Sequence, residues 1–198
     1  IQKITNDLLD LINALDLKKV KILGHSMGGF VAMDMAIRYP DLVSDLLIVA
    51  SSPILSKRNI SLFNDWQIYL DNGMSKDLWF KNMFYWIFTK TFFEDANVLN
   101  EAVRMSVDYP YAQSNQAFKN QVLAIKDFIL TKEISEIKAK TLAIIGEQDI
   151  IFTPDEIYSG LKEIPGVKFS FVEAAAHSIH MEQPAAFMKI VEDFLEMT

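Results

Sequence analysis

The chain reads as an α/β fold: a mostly parallel sheet flanked by helices, with a helical insertion. Three observations predict it. Short apolar runs alternate with helical patterns at both ends of the chain. The middle loses that alternation and becomes helical and aromatic. A glycine-rich turn, Gly24-His25-Ser26-Met27-Gly28-Gly29, joins the first apolar run to a helix. The 198 residues suit one domain, or one domain with an insertion, and 51% are hydrophobic, enough for a full core. A net charge of -7 gives nucleic-acid binding no electrostatic support. Without cysteine there is no disulfide, thiol nucleophile or cysteine metal site. No apolar run approaches a membrane span. The first residue is isoleucine within a helical pattern, so the chain is expected to start mid-protein, its true N-terminus out of view.

Taken in order, residues 1–17 place Ile1, Ile4, Leu8, Leu11, Ile12 and Leu15 at helical spacing, which predicts an amphipathic helix with one buried face. A strand follows at 20–23, then the glycine-rich turn, then a helix over 30–38 that stops at Tyr39-Pro40 because proline cannot continue it. The near-continuous apolar run at 46–50 suits a central strand covered on both faces. Residues 51–140 read as mostly helical, with breaks at Asn72-Gly73 and Tyr109-Pro110. Eleven aromatic residues lie between Phe63 and Phe93, among them Trp66, Trp79 and Trp86. The simplest account is a helical cap over the C-terminal edge of the sheet. Most of these rings are expected to form the cap's own core, and a minority to line a pocket. The alternation resumes with a strand at 141–145 and a helix opened by Thr153-Pro154-Asp155-Glu156, where threonine caps, proline suits the first turn and acids favour the dipole. A strand at 168–172, the run Ala174-Ala175-Ala176-His177 and a last helix at 184–197 complete the chain.

Ser26 stands where a strand, a sharp turn and a helix meet, the context of a G-x-S-x-G nucleophile elbow. Gly24 and Gly28 are expected to let strand and helix approach closely. A serine hydroxyl needs a neutral imidazole to take its proton, and the imidazole needs a carboxylate to hold its tautomer. His25 adjoins Ser26 in the turn and points elsewhere, so a packed or oxyanion-side neighbour is its expected role. His177 and Asp149 each follow a strand, which puts both at the same sheet edge as Ser26. His180 could replace His177, and Glu147 or Asp155 could replace Asp149. Glu147 fits better as a turn residue, Asp155 as a helix N-terminal acid and His180 as a loop residue near the site. The segment Ser51-Ser52-Pro53, after the preceding strand, offers no carboxylate. A metal site on His177 and His180 would need further ligands that the sequence does not supply.

These pieces resemble the α/β-hydrolase fold superfamily: Gly24-His25-Ser26-Met27-Gly28-Gly29, then Gly146-Glu147-Gln148-Asp149 with Pro154 after it, then His177 followed by Glu182 and Pro184. The order Ser26, Asp149, His177 is that of the α/β-hydrolase triad. The resemblance covers the chain outside the cap. It implies Ser26 as nucleophile, Asp149 as acid, His177 as base and the N–H of Met27 in the oxyanion hole. Ala176 stands where the family often has glycine. The resemblance also implies earlier strands and a second oxyanion donor that this chain does not carry, so a longer protein, or a fragment inactive by itself, is expected. The strand at 20–23 would then be left as an open hydrophobic sheet edge.

The expected division is a core segment at 1–50 carrying the elbow, a helical cap at 51–140 and a core segment at 141–198 carrying the acid and histidine loops. The expected activity is hydrolysis of a small or medium carboxylic ester, thioester or lactone through an acyl-enzyme on Ser26. No cofactor or metal is needed, and the partner is a small ester-like molecule rather than nucleic acid or membrane. A homo-oligomer is left open, and a cytoplasmic location is expected. The motifs recur in carbon–carbon bond hydrolases, enol-lactonases and cofactor-free haloperoxidase-like esterases. The run Tyr109-Pro110-Tyr111-Ala112-Gln113 through Phe118 and Ala124-Ile125 is similar to enol-lactonase-type caps. Haloalkane dehalogenases and epoxide hydrolases use aspartate as nucleophile, which Ser26 disfavours. A non-catalytic protein of this fold that binds a ligand or partner is the alternative from another class.

Overall fold

A computed structural model of the chain describes residues 1–130 and 133–196. The end of the expected last helix, residue 197, lies outside them, as do two residues of the expected cap. The elements are α1 (Gln2–Ala14), β1 (Val20–His25), α2 (Met27–Arg38), β2 (Val43–Val49), α3 (Lys57–Asp71), α4 (Lys76–Ile87), α5 (Ala96–Val107), α6 (Asn115–Lys126), β3 (Lys140–Gly146), α7 (Pro154–Leu161), β4 (Lys168–Val172), α8 (Ile179–Glu182) and α9 (Pro184–Glu196). Short 3₁₀ turns occupy Lys90–Phe93 and Ile134–Glu136.

The strands form one parallel sheet in the order β1-β2-β3-β4. Side chains alternate across it. Leu46, Ile48, Ala143 and Ile145 pack on the face carrying α2 and α7. Leu47, Val49, Leu142 and Ile144 pack on the face carrying α8 and α9, around Phe194. Burial on both faces is why β2 and β3 are apolar almost without interruption. Lys140 donates to the Phe194 carbonyl (2.9 Å) and Lys21 to that of Leu195 (3.3 Å), so two strand lysines hold the C-terminal end of α9. Between β2 and β3 the helices α3–α6 form a second, aromatic layer, where Trp79 lies edge-on to Phe118 at 5.1 Å between ring centres.

Several expectations change. β1 and α2 run to within one residue of Ser26 on either side, so the turn is tighter than the sequence pattern suggests. A short helix not expected from the sequence, α8, precedes α9, which itself begins at Pro184 as expected. His180 belongs to α8 rather than to a loop. The expected buried face of α1 is only partly buried: Ile12 is enclosed, but Ile4, Leu11 and Leu15 are exposed. α1 packs against α2, and β1 is a sheet edge among the described residues, so nothing there covers the remainder of that face. No described helix is long and apolar enough to cross a membrane.

Candidate active site

All four strands are parallel, so their C-terminal ends share one edge, and each sends a loop over it. Ser26 follows β1 directly, with φ of 52°, a left-handed conformation that a non-glycine residue adopts only under constraint. Ala50 and Ala174, just beyond β2 and β4, are also left-handed, so backbone strain gathers along this edge. The Ser26 N–H is held by the Val49 carbonyl at 2.9 Å. Gly24 is sterically required: a Cβ there would lie 2.2 Å from the Gly28 carbonyl oxygen. Gly28 corrects the sequence expectation, because a Cβ on it meets nothing within 4 Å. The second close approach belongs to Gly29, whose Cβ would strike the Ser51 side chain at about 2.4 Å.

Asp149 follows β3 and is 2% exposed. Its Oδ1 accepts the N–H groups of Ile151 (2.8 Å) and Phe152 (3.0 Å), which fixes the carboxylate. Its Oδ2 lies 2.9 Å from His177 Nδ1. A carboxylate only accepts, so Nδ1 carries the proton and, in the neutral ring, Nε2 is the acceptor. Ser26 Oγ donates to that Nε2 at 2.9 Å. The structure therefore joins Ser26, His177 and Asp149 in one hydrogen-bonded line. Of the other acids weighed, Glu147 is exposed beyond β3 and Asp155 is exposed in the first turn of α7. Glu156, not Asp155, completes a capping box with Thr153.

His25 lies beside this line. Its Nε2 donates to the His177 carbonyl oxygen at 2.9 Å, and its ring stands 5.0 Å from the rings of His177 and His180. Burial, reinforced by the neighbouring His177 ring, lowers its pKa to about 4. His25 thus stays neutral and holds the His177 backbone. His180 is also shifted down, by burial and then by His177. Among the described residues no cluster of three or more acids and histidines could hold a metal ion.

Above Ser26 and His177 lies a cavity of about 810 Å³ between the sheet edge and the helical layer. Six of the eleven aromatic residues at 63–93 line it: Phe63, Trp66, Trp79, Phe80, Phe84 and Phe88. That exceeds the minority expected from sequence, because the same rings serve as both core and wall. Two contacts bind this layer to the histidine loop. The Ser178 N–H donates to the Ile87 carbonyl at the end of α4 (3.0 Å). Glu182 bridges, its Oε1 accepting from Thr89 N–H (2.8 Å) and its Oε2 from Ala176 N–H (2.7 Å). Sequence reading marked Glu182 only by its place after His177. Its reach to Thr89, 93 residues away, had no local signal.

The sequence matches the alpha/beta hydrolase fold family over residues 3–184. The chain belongs to that family. Among curated alpha/beta hydrolase relatives, a Bacillus subtilis (strain 168) protein, named as a candidate 2-succinyl-6-hydroxy-2,4-cyclohexadiene-1-carboxylate synthase, is 28% identical over 96% of this chain and 70% of its own. A proline iminopeptidase of Pestalotiopsis fici is 29% identical over 90% and 68%. Of solved structures, the enol-lactonase of Burkholderia xenovorans LB400 superposes with a TM-score of 0.85 at 22% identity, covering 98% of this chain and 72% of that one. A Mycobacterium tuberculosis protein named as a candidate non-heme bromoperoxidase gives 0.87 at 20%, covering 99% and 74%. At that identity the structural likeness concerns the fold alone. Within the alpha/beta hydrolase frame, Met27 opens α2, so its N–H is one of the first-turn groups without an intrahelical acceptor.

Proposed function

We propose that the protein is a serine hydrolase that cleaves a small or medium carboxylic ester, thioester or lactone. The observation that carries this reading is the unbroken line from Ser26 Oγ to His177 Nε2 and from His177 Nδ1 to Asp149, at 2.9 Å for each step. Ser26 Oγ attacks the carbonyl carbon as its proton passes to His177 Nε2. Asp149 keeps Nδ1 protonated and stabilises the imidazolium that forms. Charge developing on the carbonyl oxygen faces the N–H of Met27 and the positive end of α2. The alcohol, thiol or lactone oxygen leaves with the proton from His177. Water then attacks the acyl-serine, giving its proton to the same nitrogen, and the carboxylic acid departs as Ser26 recovers its hydrogen.

In this reading α3–α6 act as a cap whose rings exclude water and receive the apolar part of the substrate, and the division at 1–50, 51–140 and 141–198 separates core from cap. The test is intact mass before and after a fluorophosphonate, with the adduct located by peptide mapping. One adduct on Ser26, absent from H177A while that variant keeps its folded circular-dichroism spectrum, is the expected result. An unmodified Ser26 in the folded protein would overturn the proposal and favour a ligand-binding role.

A further inference from the structure

The cavity has two chemically different ends, and α4 runs between them. Six α4 residues line it, Lys76, Trp79, Phe80, Met83, Phe84 and Ile87. Their spacing of three, one, three, one and three is a single helix face laid along the cavity from end to end. The C-terminal end of that face is at the chemistry, because the Ile87 carbonyl accepts from Ser178, the neighbour of His177. The N-terminal end is Lys76. At 1.5 Å per residue the two ends are separated by about 16 Å.

Polar side chains flank a ring contact made one turn from Lys76. Trp79 touches Phe118 of α6. Lys76 is one turn before Trp79, and Ser114 and Asn115 are one turn before Phe118, so all three lie within about one turn of a shared contact. Ser114 and Asn115 line the cavity too. Among the described lining residues Lys76 is the only lysine or arginine, and there is no aspartate or glutamate. Lys76 makes no ion pair with another described residue. The cavity is therefore an apolar trough with a reactive serine at one end and an unpaired cation at the other.

We propose that the substrate is an ester whose apolar chain lies along α4 and ends in a carboxylate held by Lys76. This rests on the serine-hydrolase reading and adds to it a class of substrate and a residue that selects for it. A chain of about ten carbons matches the span once the lysine stem is allowed for. Lys76 is solvent-exposed, so its effect is modest and falls with added salt.

The experiment compares 4-nitrophenyl decanoate with the mono-4-nitrophenyl ester of decanedioic acid. The carboxylated ester is expected to have the higher kcat/KM, by about fivefold at low salt, with the gain in KM. K76Q should abolish the preference by lowering kcat/KM for the carboxylated ester towards that for decanoate, and K76R should retain it. Equal kcat/KM for the two esters, or an equal loss with both in K76Q, overturns the proposal. Calorimetric titration with two uncleavable ligands separates this outcome from failure of the hydrolase reading. If neither ester turns over and Ser26 resists fluorophosphonate, the mono-N-methylamide of decanedioic acid is compared with N-methyldecanamide. Tighter, Lys76-dependent binding of the carboxylated amide keeps the ligand assignment while the hydrolytic reading falls. Equal binding removes both.

Discussion

The sheet edge and the helical layer above it are held by different forces. At the edge, positions are set by backbone sterics, as for Gly24 against Gly28, and by hydrogen bonds at 2.8–3.0 Å: Asp149 on two N–H groups, and Ser26, His177 and Asp149 in line. In the helical layer they are set by rings packed on rings, such as Trp79 against Phe80 and Phe118, or Phe88 stacked on Phe92 at 4.0 Å. Contacts of the first kind tolerate almost no displacement. Contacts of the second kind trade one apolar shape for another at modest cost. The split leaves a rigid hydrogen-bonded line below and an adaptable aromatic wall above.

The strongest way to break the comparison is at the glycines. G24A pushes a methyl group into backbone 2.2 Å away. It should cost at least about 3 kcal/mol, since neither partner can move without displacing β1 or α2. G28A meets nothing and lies in a helix, so thermal unfolding should show it unchanged or more stable by up to about 1 kcal/mol. Equal destabilisation by both would mean that the edge is not sterically fixed in the way described.

Glu182 probes the joint between the two regions. Its two carboxylate oxygens accept from Ala176, next to His177, and from Thr89, beyond α4. E182A should lose about 2–3 kcal/mol of stability, and kcat should fall about tenfold. E182Q should do almost as badly, because its amide nitrogen would face one of the two N–H donors. Slower fluorophosphonate labelling of Ser26 in both variants would identify Glu182 as a positioning residue for His177. Lost stability with unchanged labelling would restrict it to a structural tie.

The smallest expected effect sharpens the electrostatics of the edge. His25 has a pKa near 4 in the folded protein against 6.5 when exposed. Between these values the unfolded chain binds more protons, so stability rises with pH there. The contribution is present above pH 6.5 and lost as pH falls towards 4. Denaturant titrations from pH 7.5 to pH 5 should show a loss of about 1–2 kcal/mol that H25N removes. An H25N protein with the same slope as the parent would place the pH dependence elsewhere.

How much was legible in the chain follows the same division. Ser26, Asp149 and His177 could be named because each stands at a strand end, where the alternation of apolar and polar residues shows the boundary and a parallel sheet puts all such ends on one edge. Gly28 was misjudged beside them. A pattern of glycines shows where strand and helix come close, but which glycine meets the neighbour depends on the helix phase, and that fell to Gly24 and Gly29. The exposed apolar residues of α1 were misjudged for a related reason. Periodicity reveals an apolar face without revealing what covers it.

The helical layer was legible only as a composition. Helix breaks at Asn72-Gly73 and Tyr109-Pro110 were visible, and α3 and α5 end beside them. The cavity, its two ends and the Glu182 bridge were not. The sequence by itself determined the α/β alternation, the elbow and the three strand-end residues, because each depends on interactions within a few positions along the chain. Only the tertiary structure decided the lining of the cavity, the position of Lys76 opposite the serine and the tie from Glu182 to Thr89. Those depend on how helices far apart in the chain turn their faces towards one another, and ring packing allows many such arrangements until the whole fold selects one.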